Sequence, residues 1–115
     1  MEMNHIKDTN IEDAAKAFAA LGSEQRLGVL RALVRSGPEG LSIGELGEST
    51  SITGATLTHH VKFLTQAGLV LQTKKGRSII CAAVAYDMIE GLTKFLLSEC
   101  CADAKSTKHT HKEQP

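Results

Sequence analysis

Two cysteines stand side by side at Cys100 and Cys101, and adjacent thiols have a definite chemistry. Thiolates are soft ligands that a thiophilic ion prefers over hard oxygen donors. The only other thiol in the 115-residue chain is Cys81, inside Ile79-Ile80-Cys81-Ala82-Ala83. That run reads as a strand core, so packing suits Cys81 better than ligation, and it stands as a possible third ligand. Cys100 can also be read as the end of an apolar stripe with Cys101 incidental, since cysteine often packs as a small hydrophobe. Two vicinal thiols kept in a reducing compartment favour a use. His109 and His111 could bind metal too, although a Lys-rich polar tail is more often simply solvated.

A second chemistry lies in the charge pattern. Lys+Arg and Asp+Glu balance at 13 each, yet Ser49 to Tyr86 contains no Asp or Glu while holding Lys62, Lys74, Lys75 and Arg77. A neutral protein has no general affinity for polyanions, but an acid-free surface can meet phosphates without self-repulsion. Inside this stretch Thr53, Thr56, Thr58, His59 and Lys62 are the short, polar or cationic residues that a helix in a major groove needs. Lys74, Lys75 and Arg77 would sit at the tip of a hairpin, suited to phosphates or an adjacent minor groove. His60 neighbours Val61 and Leu64 and is expected to pack inward.

The elements that hold these residues follow from periodicity. Met1–Asn10 is polar and reads as frayed, and residues 11–101 read as one domain. Ile11, Ala14, Ala15, Phe18 and Leu21 recur at helical spacing up to Gly22. Ser23 caps a second helix with an expected buried stripe of Leu27, Leu30, Leu33 and Val34. After the break at Ser36–Gly40, Ser42-Ile43-Gly44-Glu45 reads as a capping box opening a short third helix to about Glu48. Thr53 is placed to cap a fourth helix with core positions Leu57, Val61 and Leu64, ending at Gly68. Leu69–Thr73 and Ser78–Val84 read as a hairpin around Lys74-Lys75-Gly76-Arg77. Tyr86–Cys101 reads as a last helix, its stripe of Ile89, Leu92, Leu96 and Cys100 exceeding what one small core needs and suggesting a homodimer seam that includes Phe18. Residues 102–115 read as a disordered polar tail.

The fold class is therefore mainly α with a small β-hairpin, a winged helix-turn-helix with an added terminal helix. Aromatics make up only 3% of the chain and Trp is absent, which suits thin helical layers better than an enzyme cleft. No Ser/His/Asp, Cys/His or carboxylate pair falls in a plausible pocket, so an enzyme is not expected. No segment reaches the roughly 18 apolar residues needed to span a bilayer, and a cytoplasmic location without a membrane partner is expected.

The chain resembles the ArsR/SmtB repressors across roughly residues 12–101. The resemblance rests on Leu21-Gly22-Ser23-Glu24-Gln25-Arg26-Leu27, Thr58-His59-His60-Val61-Lys62-Phe63-Leu64, Ala67-Gly68-Leu69-Val70 and Gly76-Arg77, in that order. Val61 stands where Leu is usual in the family, and Thr58 where Ser is usual. The resemblance implies a homodimer through the first and last helices that represses transcription on double-stranded operator DNA until an inducer binds.

Family members differ in their sensor sites. The third-helix Cys-x-Cys type is absent, since Glu45-Leu46-Gly47-Glu48 has no thiol. The zinc type is absent as well, because Asp87 is followed by Ile89 instead of His, and the second-helix cysteine of the redox and persulfide type is missing from 23–36. Cys100-Cys101 resembles the vicinal pair of an arsenic-responsive subgroup, which implies a trivalent arsenical as inducer and no permanent cofactor. Arsenite has three exchangeable oxygens and methylarsenite two, so two clustered thiols are expected to bind methylarsenite at least as well. Adjacent helical residues point about 100° apart, so chelation is expected to require the helix end to unwind or readjust. A thiol redox or persulfide switch on this fold and a winged-helix protein-interaction module are the alternatives.

Overall fold

Four helices, a hairpin that pairs with a short strand from between the second and third of them, and a final helix make up the chain. The structure, a computed structural model, describes residues 10–84 and 86–105. Its elements are α1 (Ile11–Ala20), α2 (Glu24–Ser36), β1 (Leu41–Ser42), α3 (Ile43–Thr50), α4 (Gly54–Gln66), β2 (Val70–Lys75), β3 (Ser78–Ala83) and α5 (Tyr86–Leu96). Asn10 caps α1 by accepting the Asp13 amide at 2.8 Å, and Ser23 caps α2 by accepting that of Arg26 at 3.3 Å. At α3 the capping box forms in both directions: Ser42 Oγ accepts the Glu45 amide, and the Glu45 carboxylate accepts the Ser42 amide. Such caps satisfy amides that would otherwise lack a helical partner.

The core gathers around α2, α3 and α4. Val29, Leu33, Leu46, Leu57, Val61, Leu64, Val70 and Cys81 are the largest fully buried side chains. The buried positions of α4 are Leu57, His60, Val61 and Leu64, one face of a helix. Its C-terminus is closed by the Leu69 amide on the Leu64 carbonyl and the Gly68 amide on that of Thr65, both at 3.0 Å. This paired closure stops α4 and turns the chain into the sheet.

The wing is a three-stranded antiparallel sheet in the order β1-β3-β2. The hairpin register pairs Lys75 with Ser78, leaving Gly76 and Arg77 as a two-residue turn. Gly76 has φ +61°, the left-handed value that such a turn takes at its first position. The short strand β1 was not expected; it pairs Leu41 with Cys81 and Ser42 with Ile80. A Cβ at Gly40, which itself has φ +73°, would run into the Cys81 carbonyl. A glycine there lets β1 lie against β3 and fixes the entry to α3.

Two expectations about the helices are corrected, in α2 and at the end of α5. In α2, Leu27 and Val34 are exposed, and the buried face is Val29, Leu30, Ala32 and Leu33. Positions 27 and 34 are seven apart and share one stripe, which here points away from the helix-turn-helix. In α1 the buried residues are Ala14, Ala17 and Ala20, while Ile11 and Phe18 face outward. The last helix ends at Leu96 rather than Cys101, and residues 96–105 are all exposed. Helical stability in proteins comes mainly from packing an apolar face, and none of the described residues covers that final stretch. It continues in short turns, with the amides of Cys100, Ala102 and Ala104 bonded to the carbonyls of Leu97, Glu99 and Cys101.

Candidate nucleic-acid interface and thiol pair

Helix α4 presents two faces of different chemistry. Leu57, Val61 and Leu64 fix it to the core, while Thr53, Thr56, Thr58, His59 and Lys62 are exposed along its outward side. Thr53 occupies the N-cap position, but its side chain makes no capping hydrogen bond, contrary to expectation. Lys74, Lys75 and Arg77 are exposed at the hairpin tip.

Two residues of α2 orient this helix, and neither was singled out from the sequence as doing so. Gln25 Oε1 lies 3.0 Å from His60 Nε2, tying the start of α2 to the middle of α4. With the glutamine oxygen as acceptor, Nε2 carries the proton and Nδ1 is the bare nitrogen. His60 is only 8% exposed, and its Nδ1 has no hydrogen-bond partner among the described residues. Burial pushes the His60 pKa below the usual histidine value, and the positive charge of Arg26 and the neighbouring His59 push it further. The ring is therefore a neutral packing group, as its sequence neighbours indicated.

Arg26 is the second link. Its guanidinium carbon sits 4.1 Å from the centroid of the Phe63 ring on α4. Its Nε–H donates to the Ala20 carbonyl at 2.6 Å, at the C-terminal end of α1 where a helix carries partial negative charge. A stacked cation contributes about 0.5–2 kcal/mol, and the Arg26 side chain is partly sheltered. His59 meets the same ring edge-on at 6.4 Å, so this exposed side chain is braced by the clamp. The Ser-Glu-Gln-Arg and Thr-His-His-Val-Lys-Phe segments, far apart in sequence, thus meet at α4. Their co-occurrence in one chain was the available signal.

The thiols fall in two places. Cys81 is fully buried at the centre of the sheet, and burial pushes its pKa up, with a partial offset from a hydrogen bond to the Gln72 side chain. Cys100 and Cys101 are exposed beyond α5, their sulfurs 3.5 Å apart. Cys101 adopts φ +67°, a left-handed conformation uncommon for a residue with a side chain. The turn after α5 therefore already brings the sulfurs together, and the expected unwinding of a helix end is not needed. Desolvation pushes the Cys101 pKa up, and its hydrogen bond with Cys100 and that neighbour's charge act in the same direction. The structure does not bring Cys81 to the pair. Among the described residues no group of three or more His, Cys, Asp or Glu side chains could hold a metal ion. His109 and His111 lie outside the described residues.

The side chains proposed for a dimer seam differ in setting. Phe18 is 42% and Leu96 69% exposed, Ile89 is half-buried, and Leu92 is buried in the chain's own core. The start of α5 is held by the Tyr86 hydroxyl, which donates to the Val34 carbonyl at 2.7 Å. No helix among the described residues is long and apolar enough to cross a membrane.

Comparison with known proteins agrees with this geometry. The helix-turn-helix domain family matches residues 21–73. An uncharacterized HTH-type transcriptional regulator, YceK of Bacillus subtilis (strain 168), is 40% identical over 73 residues, spanning 64% of this chain and 72% of the relative. An ArsR-like transcriptional regulator from Rhodococcus sp. RHA1 superposes with a TM-score of 0.66 at 26% identity, covering 80% of this chain and 82% of that one. The homodimeric winged helix-turn-helix DNA-binding domain of Mb0332 from Mycobacterium bovis shares the fold at a TM-score of 0.64 and 16% identity, covering 95% and 96% of the two chains. With its motifs, its wing and these relatives, the chain belongs to the HTH-type transcriptional regulators, and its winged helix-turn-helix fold is similar to that of an ArsR-like regulator.

Proposed function

We propose that this regulator binds operator DNA as a homodimeric repressor and releases it when a trivalent arsenical joins Cys100 to Cys101. The observation that carries the inducer is the sulfur pair: two exposed thiols 3.5 Å apart on adjacent residues. A soft centre bonded to both sulfurs at about 2.3 Å, the length of a zinc–thiolate bond, spans about 3.5 Å between them when its bond angle is near 100°. The homodimer is supported by Ile11, Phe18, Leu96 and Leu97, exposed apolar residues on α1 and at the end of α5, and by the homodimeric neighbour of the same fold.

The fate of the thiol protons separates arsenicals from zinc. Methylarsenite carries two hydroxyls. Each thiol proton leaves with one of them as water while an As–O bond is replaced by an As–S bond, with no change of oxidation state. Neutral thiols suffice, and no proton is released. Zinc must instead displace both thiol protons into solution, and two sulfurs do not complete a tetrahedral site. The same two-for-two exchange underlies the expectation that methylarsenite binds at least as well as arsenite.

A gel shift tests the reading, using DNA from beside the protein's own gene with arsenite, methylarsenite, zinc and oxidant in separate lanes. Methylarsenite releases the parent, Cys100→Ser and Cys101→Ser each abolish that release, and Cys81→Ser leaves it intact. Low micromolar zinc leaves the complex in place. If Cys81→Ser alone abolished the response to arsenite, the site would hold three thiols. Release by oxidant alone would favour a thiol redox switch.

A further inference from the structure

Helix α2 carries three arginines against one glutamate, and only Arg26 among them has a partner among the described residues. Arg31 and Arg35 lie one helical turn apart and are exposed. Both line a groove of about 510 Å³ between α2 and the turn that joins α3 to α4. The opposite wall is Ser49 to Ile52, and Gly28 and Ala32 contribute on the α2 side. The Thr50 hydroxyl is engaged by the Leu46 carbonyl, whereas those of Ser49 and Ser51 make no hydrogen bond among the described residues. An added Cβ at Gly28 would meet nothing within 4 Å, so this wall is open to an incoming group. Glu24 also lines the groove, leaving one net positive charge.

From this arrangement we infer that the α2 groove is a second DNA contact, in which Arg31 and Arg35 take backbone phosphates flanking the site read by α4. This rests on the DNA-binding reading and extends it. Two features favour DNA phosphate as the occupant. The groove wall at Ile52 is followed directly by Thr53 and Gly54, the start of α4, so a duplex engaged by that helix end passes close by. The wall residues Ser49–Ile52 also open the acid-free stretch, so no carboxylate stands on that side. Arginine forks match phosphate oxygens, and serine hydroxyls serve as further donors. The arginines were hidden in the sequence because residues 1–48 carry three more acidic than basic side chains overall.

The salt dependence of binding to duplex DNA tests the groove. Each phosphate contact contributes about 0.9 to the slope of log K against log salt. The Arg31→Ala/Arg35→Ala double variant is expected to lower the slope by about 1.8 per bound protomer, with sequence preference unchanged. Arg31→Lys/Arg35→Lys keeps the charges and restores most of the slope. Lys94→Ala, in the last turn of α5, loses charge away from the groove and serves as control. Circular dichroism melts establish that each variant is folded. A double alanine variant with the slope of the parent or of the Lys94 control overturns the inference. So does calorimetric binding of inorganic phosphate that is lost in this variant while its DNA slope is unchanged, which would make the groove a small-anion site. A parent that binds no duplex at low salt would instead overturn the DNA-binding reading itself.

Discussion

Helix α4 and the turn that carries Cys100 and Cys101 are held in opposite ways. Three core side chains, the Gln25–His60 hydrogen bond and the Arg26–Phe63 stack fix α4 on its inner side. The thiol turn has local backbone bonds and one sulfur–sulfur contact, with every residue from 96 to 105 exposed. A surface that reads DNA gains from being rigid before it meets its target, because ordering it on binding would weaken the complex. If the thiol turn takes the proposed inducer, it gains from the reverse, since a segment with little burial can be rearranged by one ligand at low cost. The two are linked through α5, whose first residue donates its hydroxyl to the Val34 carbonyl of α2.

The largest effects should separate these regions by stability. Leu64→Ala, at a fully buried site, is expected to cost about 2–5 kcal/mol through lost burial and the cavity left behind. Ser98→Ala and the Cys100→Ser/Cys101→Ser pair, in the exposed turn, should stay within about 0.5 kcal/mol as monitored by chemical denaturation. A Leu97→Ala variant that lost as much as Leu64→Ala would mean that the turn is covered in solution, by the partner protomer. Arg26→Leu removes the stack on Phe63 and the bond to Ala20, and about 1–3 kcal/mol should go with them. Operator affinity should fall further than stability does, because α4 loses its brace.

The same division explains what could be read from the residues alone. Caps are local, so Ser23 and the Ser42–Glu45 box were legible. The face of α4 was legible because Leu57, Val61 and Leu64 obey one period. Strand β1 was not, since two residues cannot show alternation and their pairing with Ile80 and Cys81 is remote. Leu27 and Val34 were assigned to the core because periodicity marks an apolar stripe without saying what covers it. For the same reason the stripe through Leu96 to Cys100 reads as helix; without cover from the described residues, α5 stops at Leu96. The nearness of the two sulfurs depends on that stop and on the left-handed turn at Cys101, neither of which spacing encodes.

Base reading can be divided from backbone contact within the DNA surface itself. His59→Ala should change preference between operator bases by about 1–3 kcal/mol if its ring meets a base edge. Lys62→Ala and Arg77→Ala should instead weaken all duplexes similarly and lower the salt slope by about 0.9 per bound protomer. Binding titrations at several salt concentrations, on operator and on scrambled duplex, distinguish the two outcomes. Three variants that all bind like the parent would sink the assignment of α4 as the reading helix.

The smallest expected effect concerns pH and acts on the rigid region alone. His60 is held neutral by burial, by Arg26 and by His59, so its folded pKa lies below the ordinary value of 6.5. Above 6.5 the ring is neutral in both folded and unfolded chains, and the stability it contributes is fully present. As pH falls below 6.5 the unfolded chain binds a proton that the native chain refuses, and stability declines until the folded pKa is passed. One group can contribute at most about 1.4 kcal/mol per pH unit, so the decline is shallow. Within the fold, protonation would put a charged N–H at Nδ1, where no acceptor stands among the described residues. His60→Gln keeps an amide N–H that can donate to Gln25 and removes the titration. Denaturation midpoints measured from pH 7.5 to 5 should therefore fall less steeply for His60→Gln than for the parent. Equal slopes for the two proteins would show that another group governs the acid side, and that the Gln25–His60 link tolerates a charged ring.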